Sequence, residues 1–238
     1  YSPQEDAWQR AAFQRRIVDA TGFADPATLD AERKTNLADI VLDETGAGGL
    51  VASRFLLDRK PFNDDRVRRA IHLAIDRAAL IDLLYPPMDG RVSAQFSGPI
   101  APVMDRWSLA PDDLARRPGY RSDVAGRAED VRTAKQLWAA AVGTGFVELR
   151  IMFAGVPKAI PGRAIEAITR QLAEVLSAKV TAQTDPTGQT LIAAALVRNV
   201  EGATDGVAPL TFAIEDGGVD MDDWLYAHFR SGQAMNSY

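Results

Sequence analysis

Apolar residues recur every three to four positions in some stretches of the chain and every second position in others, which predicts a mixed α/β protein. From Asp65 to Leu84, the residues Val67, Ala70, Ile71, Ala74, Ile75, Ala78, Leu80, Ile81 and Leu84 share one broad face, as in a helix buried along one side. Asp64 or Asp65 stands where free backbone amides need an acceptor, and Tyr85-Pro86-Pro87 ends the pattern. On one continuous helix Arg68 and Asp76 would share a face, about two turns apart. Arg127–Val142 carries a second stripe on Val131, Ala134, Leu137, Trp138 and Ala141, and is stopped by Gly143 and Gly145.

The C-terminal half alternates between the two periods. Phe146–Phe153 reads as a strand, residues 160–178 as a helix on Ile165, Ile168, Leu172, Val175 and Leu176, and Lys179–Thr184 as a second strand. Strand, helix and strand with short joints make a βαβ unit with a parallel pair. A helix over Leu191–Val197, a strand over Pro209–Ile214 and a helix over Asp222–Arg230 follow. Before the long helix, residues 5–20 read as a weak helix, Asp25-Pro26 starts a second one, residues 44–49 are a glycine-rich loop and Leu50–Leu57 is a strand. Residues 86–126 are rich in Pro, Gly and Asp and predict a long loop with one helical turn after Pro111. A loop of that length is unusual unless it lines something.

Composition narrows the classes. The 238 residues are 47% hydrophobic and 25% charged, enough for a real core and far from a disordered or fibrous chain. The net charge of −5 argues against a dedicated nucleic-acid binder, and Arg66, Arg68 and Arg69 sit beside Asp64 and Asp65 as a solvated face would. No apolar run is long enough to cross a bilayer as a helix. Cysteine is absent, which removes disulfides, thiolate metal sites and cysteine nucleophiles together. The first residues are not a signal peptide and lack an initiator Met, so the chain is expected to be cut from something longer.

The candidate chemistry is sparse. His72 lies mid-helix between Ile71 and Leu73 and reads as a packed or partly exposed structural histidine. His228 and the loop residue Ser97 form no recognisable nucleophile motif. Gly46-Ala47-Gly48-Gly49 precedes a strand, whereas a dinucleotide loop follows one, and no phosphate-loop pattern exists. Five carboxylates fall between Glu215 and Asp223 without the spacing of a calcium loop. Asp222 and Asp223 suit a helix start, and Asp216-Gly217-Gly218 a turn. No metal or cofactor is expected.

The segment Lys60-Pro61-Phe62-Asn63-Asp64-Asp65-Arg66-Val67-Arg68-Arg69-Ala70, continuing to Ala74-Ile75-Asp76-Arg77, resembles the hallmark of the family five extracellular solute-binding proteins, the oligopeptide, dipeptide and nickel receptors of bacterial ABC importers. Pro118-Gly119-Tyr120, Ala134-Lys135-Gln136-Leu137 and Asp220-Met221-Asp222-Asp223-Trp224-Leu225, then Phe229, Ser231-Gly232 and Asn236, follow in that family's order. Met221 stands where proline is usual, Ser177-Ala178 replaces Ile-Gly, and the aromatic-rich segment before Asp220 is replaced by Ile214-Glu215-Asp216-Gly217-Gly218.

The resemblance implies an α/β fold: a mixed sheet with flanking helices, one lobe of a two-lobed periplasmic-binding-protein-like fold. Residues 1–49 would be a connecting helical segment and 50–238 the lobe, incomplete at both ends. It implies non-catalytic capture of a peptide or small-molecule ligand for the membrane permease of an ABC importer. The N-terminal lobe of the same protein would be missing here, and no nucleic acid would be involved. The location would be periplasmic or extracellular, membrane-anchored in the full-length protein. In the family an acidic residue near the altered segment pairs with a peptide's amino terminus, and either Glu215 or Asp216 stands there. The expected ligand-facing residues are Phe96 and Ile100 in an apolar irregular loop and Glu215, Asp216 and Asp220 at the end of a strand, where open α/β sheets place ligands. Against this, Phe96 and Ile100 could instead cover the lobe's own core and the acids only cap a helix. Two other classes stay open: a regulatory or sensor module built on the same lobe, and a hydrolase using Ser97 with a distant histidine.

Overall fold

The structure is a computed structural model that describes residues 3–20, 49–57, 59–84, 98–100, 106–143, 148–154, 162–185, 210–216 and 220–233. Its elements are α1 (Pro3–Gln14), β1 (Gly49–Phe55), α2 (Asp65–Ala74), α3 (Arg77–Leu84), α4 (Pro111–Ala115), α5 (Val124–Val142), β2 (Glu148–Ala154), α6 (Gly162–Leu176), β3 (Lys179–Asp185), β4 (Leu210–Asp216) and α7 (Met221–Phe229). The chain divides into two compact units, residues 1–44 and 45–238.

In the first unit α1 is shorter than the predicted helix over 5–20. Arg16 turns left-handed at φ 59°, and the Arg16 and Ile17 amides fold back onto the carbonyls of Phe13 and Ala12. That pair of reversed bonds satisfies the last carbonyls of the helix and ends it. The helix predicted from Asp25-Pro26 lies outside the described residues, as do the one over Leu191–Val197 and the loop residue Ser97.

In the second unit four strands form one sheet in the order β1-β4-β2-β3. β2 pairs in parallel with β3 on one side and with β4 on the other, while β1 runs antiparallel to β4 along the edge. The predicted βαβ unit is therefore present as β2, α6 and β3. Leu149, Ile151 and Phe153 of β2 and Leu210 of β4 join the apolar faces of α2, α5 and α6 in one core. Ile71, Leu149, Ile151, Ile168, Leu172 and Leu210 are almost completely enclosed. Each contributes about 1.5–3 kcal/mol by burial. Ser177 takes a left-handed φ of 54° directly after α6 and turns the chain into β3.

The long helix predicted over 65–84 is two helices. Ile75 is extended at φ −78° and ψ 121°, so α2 ends at Ala74 and α3 begins at Arg77. Polar groups from outside the pattern stabilise the break. Arg127 donates to the carbonyls of Leu73 and Ala74, and Arg77 donates to His72 O at 2.9 Å. The Asp76 amide donates to Gln171 Oε1 at 2.9 Å, and the Asp76 carboxylate accepts from Ala79 N at the start of α3. Arg68 and Asp76 consequently do not share a helix face: Arg68 donates to Phe62 O, and Asp76 faces Arg127. The core reading of this segment survives the break, because Val67, Ala70, Ile71, Ala74, Ile75 and Leu80 are all buried.

At the start of α2 the cap is Asp64, which accepts from Arg66 N at 2.9 Å. The Arg66 side chain closes on the same carboxylate and holds it below the usual carboxylate range. α5 begins at Val124, three residues earlier than predicted, because Asp123 accepts from Gly126 N at 2.7 Å and caps it. The helical turn predicted after Pro111 is α4.

Candidate ligand-facing site

The parallel strands β2, β3 and β4 end along one edge of the sheet, with Ala154 opposite Asp185 and Asp216 opposite Gly49, the first residue of β1. Glu215 and Asp216 occupy the last two positions of β4, which runs past the end of β2, since β2 pairs with β4 only as far as Ala213. This C-terminal edge is where open α/β sheets bind ligands. Asp220 follows Asp216 by four residues, so the two α-carbons lie within about 14 Å of each other by chain length alone.

Asp220 is the N-cap of α7. Its carboxylate accepts from Asp222 N at 2.7 Å, its carbonyl accepts from Trp224 N, and its side chain faces solvent. Asp222 and Asp223 fill the first turn, as their positions predict.

The helix that Asp220 starts is tied to the second predicted segment. Trp224 is buried, and its indole Nε1 donates to Pro99 O at 3.1 Å. Ile100 and Met221 pack against the same ring, forming a small apolar cluster apart from the main core. On the other side His228 stacks on Trp224 with ring centroids 3.8 Å apart, and its Nδ1 lies 2.9 Å from Trp224 O. The structure therefore brings Pro99 and Ile100 beside the helix that begins at Asp220. Ile100 is half-buried there, with part of its surface on Trp224 and part toward solvent. Phe96 lies outside the described residues. Trp224 stands in the family-like segment Asp220–Leu225 but was not singled out as a site residue. Its place four residues after the helix cap, where the indole ring needs both a surface and an acceptor, was a further signal.

Two of the family-like motifs, Lys60–Arg77 and Pro118–Tyr120, meet at another place. His72 Nε2 lies 3.1 Å from Pro118 O, and His72 Nδ1 lies 3.1 Å from Arg77 Nη2. A carbonyl only accepts and a guanidinium only donates, so the ring is neutral, with its proton on Nε2. Arg77 also donates to Gly119 O at 2.6 Å and lies 4.7 Å from the centre of the Tyr120 ring. Gly119 N donates to Asp130 Oδ2 at 2.8 Å, and Arg121 approaches the other oxygen of that buried carboxylate at 3.4 Å. Burial, and after it the charge of Arg77, holds the His72 imidazole below its usual value. A half-buried structural histidine stands at this position, within the packed or partly exposed reading of the sequence.

This cluster is a clamp between α2, α3, the Pro118–Tyr120 turn and α5. Asp130 was missed by the apolar pattern. Its signal was a carboxylate four residues before Ala134 and eight before Trp138, on the buried stripe of α5. Among the described residues no three histidine, aspartate or glutamate side chains converge as a metal site would require.

Solved structures with this fold place the chain. It superposes on OppA of Haemophilus influenzae in complex with RPPGFSPFR at a TM-score of 0.64 and 14% identity, covering 97% of this chain and 41% of that one. DppA of Helicobacter pylori in complex with the peptide STSA gives 0.57 and 20%, with 92% and 37% covered. The periplasmic EDTA-binding protein EppA gives 0.66 and 17%, with 98% and 42% covered. The chain thus spans about two fifths of the length of these proteins. No curated protein matches the sequence. The profile of the bacterial extracellular solute-binding proteins, family 5 Middle, matches residues 1–236, including the first 49 residues that the sequence motifs left outside the resemblance. The chain belongs to the family 5 bacterial extracellular solute-binding proteins.

Proposed function

We propose that the chain forms most of one lobe of a receptor that captures peptides or similar small solutes and delivers them to the permease of a bacterial ABC importer. The profile match across almost the whole chain carries this reading. Residues 1–49 serve as the segment connecting to the rest of the receptor, and 50–238 as the lobe. The family acts outside the cytoplasm, and the full-length receptor is held at the membrane surface. The lobe binds its solute and does no chemistry on it. Two structural neighbours carry peptides and a third is named for EDTA, which supports a class of flexible, charged small solutes.

The ligand face is the C-terminal edge of the sheet with the loop around Ile100. Phe96 and Ile100 supply an apolar wall. Glu215 or Asp216 supplies the negative anchor for a cationic group such as a peptide amine. Asp220 stands at the rim, with its carboxylate on the helix cap. The tie from Trp224 to Pro99 supports this arrangement, because it holds the apolar loop beside the helix that follows the acidic turn. A binding face of this kind needs rigid elements behind irregular loops.

Native mass spectrometry of the full-length protein with short peptides tests the proposal. A one-to-one adduct with a peptide that is later recovered intact is expected. Cleaved peptide, or no adduct with any peptide or small charged solute, would refute it.

A further inference from the structure

The geometry points to a proton-sensitive latch: neutral His72, accepting from Arg77 and donating to Pro118, holds the Pro118–Tyr120 turn on α2, and a second proton on its ring releases that turn. The inference is independent of the ligand reading. Arg77 binds the turn and the helix together, donating to Gly119 O at 2.6 Å and to His72 O at 2.9 Å while its second nitrogen rests 3.1 Å from His72 Nδ1. Protonation from solvent converts Nδ1 from an acceptor into a donor pointed at that guanidinium. One attractive contact becomes a contact between two cations.

The groups around the ring can be named. Arg77 comes from the start of α3, and Tyr120 from the turn, its ring centroid 5.6 Å from that of His72. Asp130 comes from α5, and its charge favours the protonated ring. It is, however, engaged by Gly119 N and by Arg121. Arg127, also from α5, lies on the Leu73 and Ala74 carbonyls and faces Asp76. On α2 itself Arg68 is turned onto Phe62 O, and Arg69 is exposed. The Pro118 carbonyl and Asp130 both favour the protonated ring, but burial and Arg77 outweigh them, so the ring stays neutral until the pH falls below the usual histidine value.

Release would be felt beyond the turn. α4 runs directly into it, and Leu114 of α4 is buried with its methyl groups beside Gly98, where an added Cβ would lie 3.6 Å away. The turn, α4 and the Gly98–Ile100 segment are therefore one packed path from His72 to Trp224.

Hydrogen–deuterium exchange of the full chain from pH 7.5 to 5.0, with exchange times rescaled for the intrinsic rate, tests the latch. Protection across residues 117–122 should fall severalfold with a midpoint below 6.5, the ordinary histidine value. α6 should keep its protection. In His72→Asn, whose carboxamide oxygen can accept from Arg77 but takes no proton, the loss should vanish. A flat wild-type profile, or the same loss in His72→Asn, would overturn the latch. Should that variant not fold, the His72 ring resonance decides in the wild type, where only two histidines occur. A midpoint below 6.5 that coincides with the loss of protection supports the latch, and a midpoint at or above it, or no coincidence, overturns it.

Discussion

Gly119 and His72 are packed so closely that a Cβ on Gly119 would collide with the edge of the His72 imidazole. Gly119 also has a φ of 84°, a backbone region that side chains rarely tolerate. The imidazole cannot swing away freely, because both of its nitrogens are engaged. Gly119→Ala should therefore cost about 2–5 kcal/mol, the left-handed penalty plus overpacking. Adding His72→Ala should relieve only the collision, so the two losses should not add. Denaturant unfolding of the two single variants and the double variant measures this, and strict additivity would contradict the packing described.

Asp130 is a buried charge with two defined partners, the Gly119 amide at 2.8 Å and the Arg121 guanidinium at 3.4 Å. Asp130→Ala leaves a buried amide without an acceptor and should destabilise the protein by about 1.5–3 kcal/mol. Asp130→Asn keeps an oxygen for Gly119 and should recover more than half of that loss. Equal losses in the two variants would show that the carboxylate's charge matters and its bond to Gly119 does not.

The pattern of apolar positions made the core and the βαβ unit legible, because burial on one face leaves a period in the sequence. Ile71, Ile151, Ile168 and Leu172 are where that period puts them. The break at Ile75 was not legible. Its causes, Arg127 on the Leu73 and Ala74 carbonyls and Gln171 on the Asp76 amide, lie about 50 and 95 residues away in the chain. Local spacing carries no trace of such partners. At the candidate site Ile100 was singled out for its irregular loop and Asp220 as a carboxylate after a strand, but their junction through Trp224 and Pro99 depends on a contact across 125 residues. Two of the motifs that disclosed the family, Lys60–Arg77 and Pro118–Tyr120, form a structural clamp, which is why they identify the fold without naming the solute.

Trp224→Phe keeps an aromatic ring for Ile100 and His228 and removes the donor to Pro99. Its stability cost should be about 1 kcal/mol, the net value of one hydrogen bond. In the full-length protein it should also loosen the Gly98–Ile100 segment, read as faster amide exchange there with α6 unchanged. Unaltered exchange in that segment would mean that the indole bond does not hold the loop.

Acidification should weaken the fold through His72. The folded state holds this ring below 6.5 while the unfolded chain titrates at that value, so the unfolded state binds more protons in this window. Stability from His72 is thus complete above about pH 7.5 and falls as the pH drops through 6.5 toward the lower folded value. Thermal melts of wild type and His72→Asn between pH 7.5 and 5.5 should diverge, with the variant's melting temperature falling less. Parallel curves would exclude His72 as the source.

The central claim, capture of a solute without chemistry through an acidic anchor at the sheet edge, is tested most directly by calorimetric titration of the full-length protein with a short peptide and its N-acetylated form. The expected result is a saturable one-to-one heat with no continuing heat flow. The free amine should bind about 1–3 kcal/mol more tightly than the acetylated form. That difference should disappear in Asp216→Asn or in Glu215→Gln. Sustained heat flow from turnover, or no saturable binding of any peptide or small charged solute, would contradict the account. A preference for the free amine that survives both substitutions would remove the anchor from it.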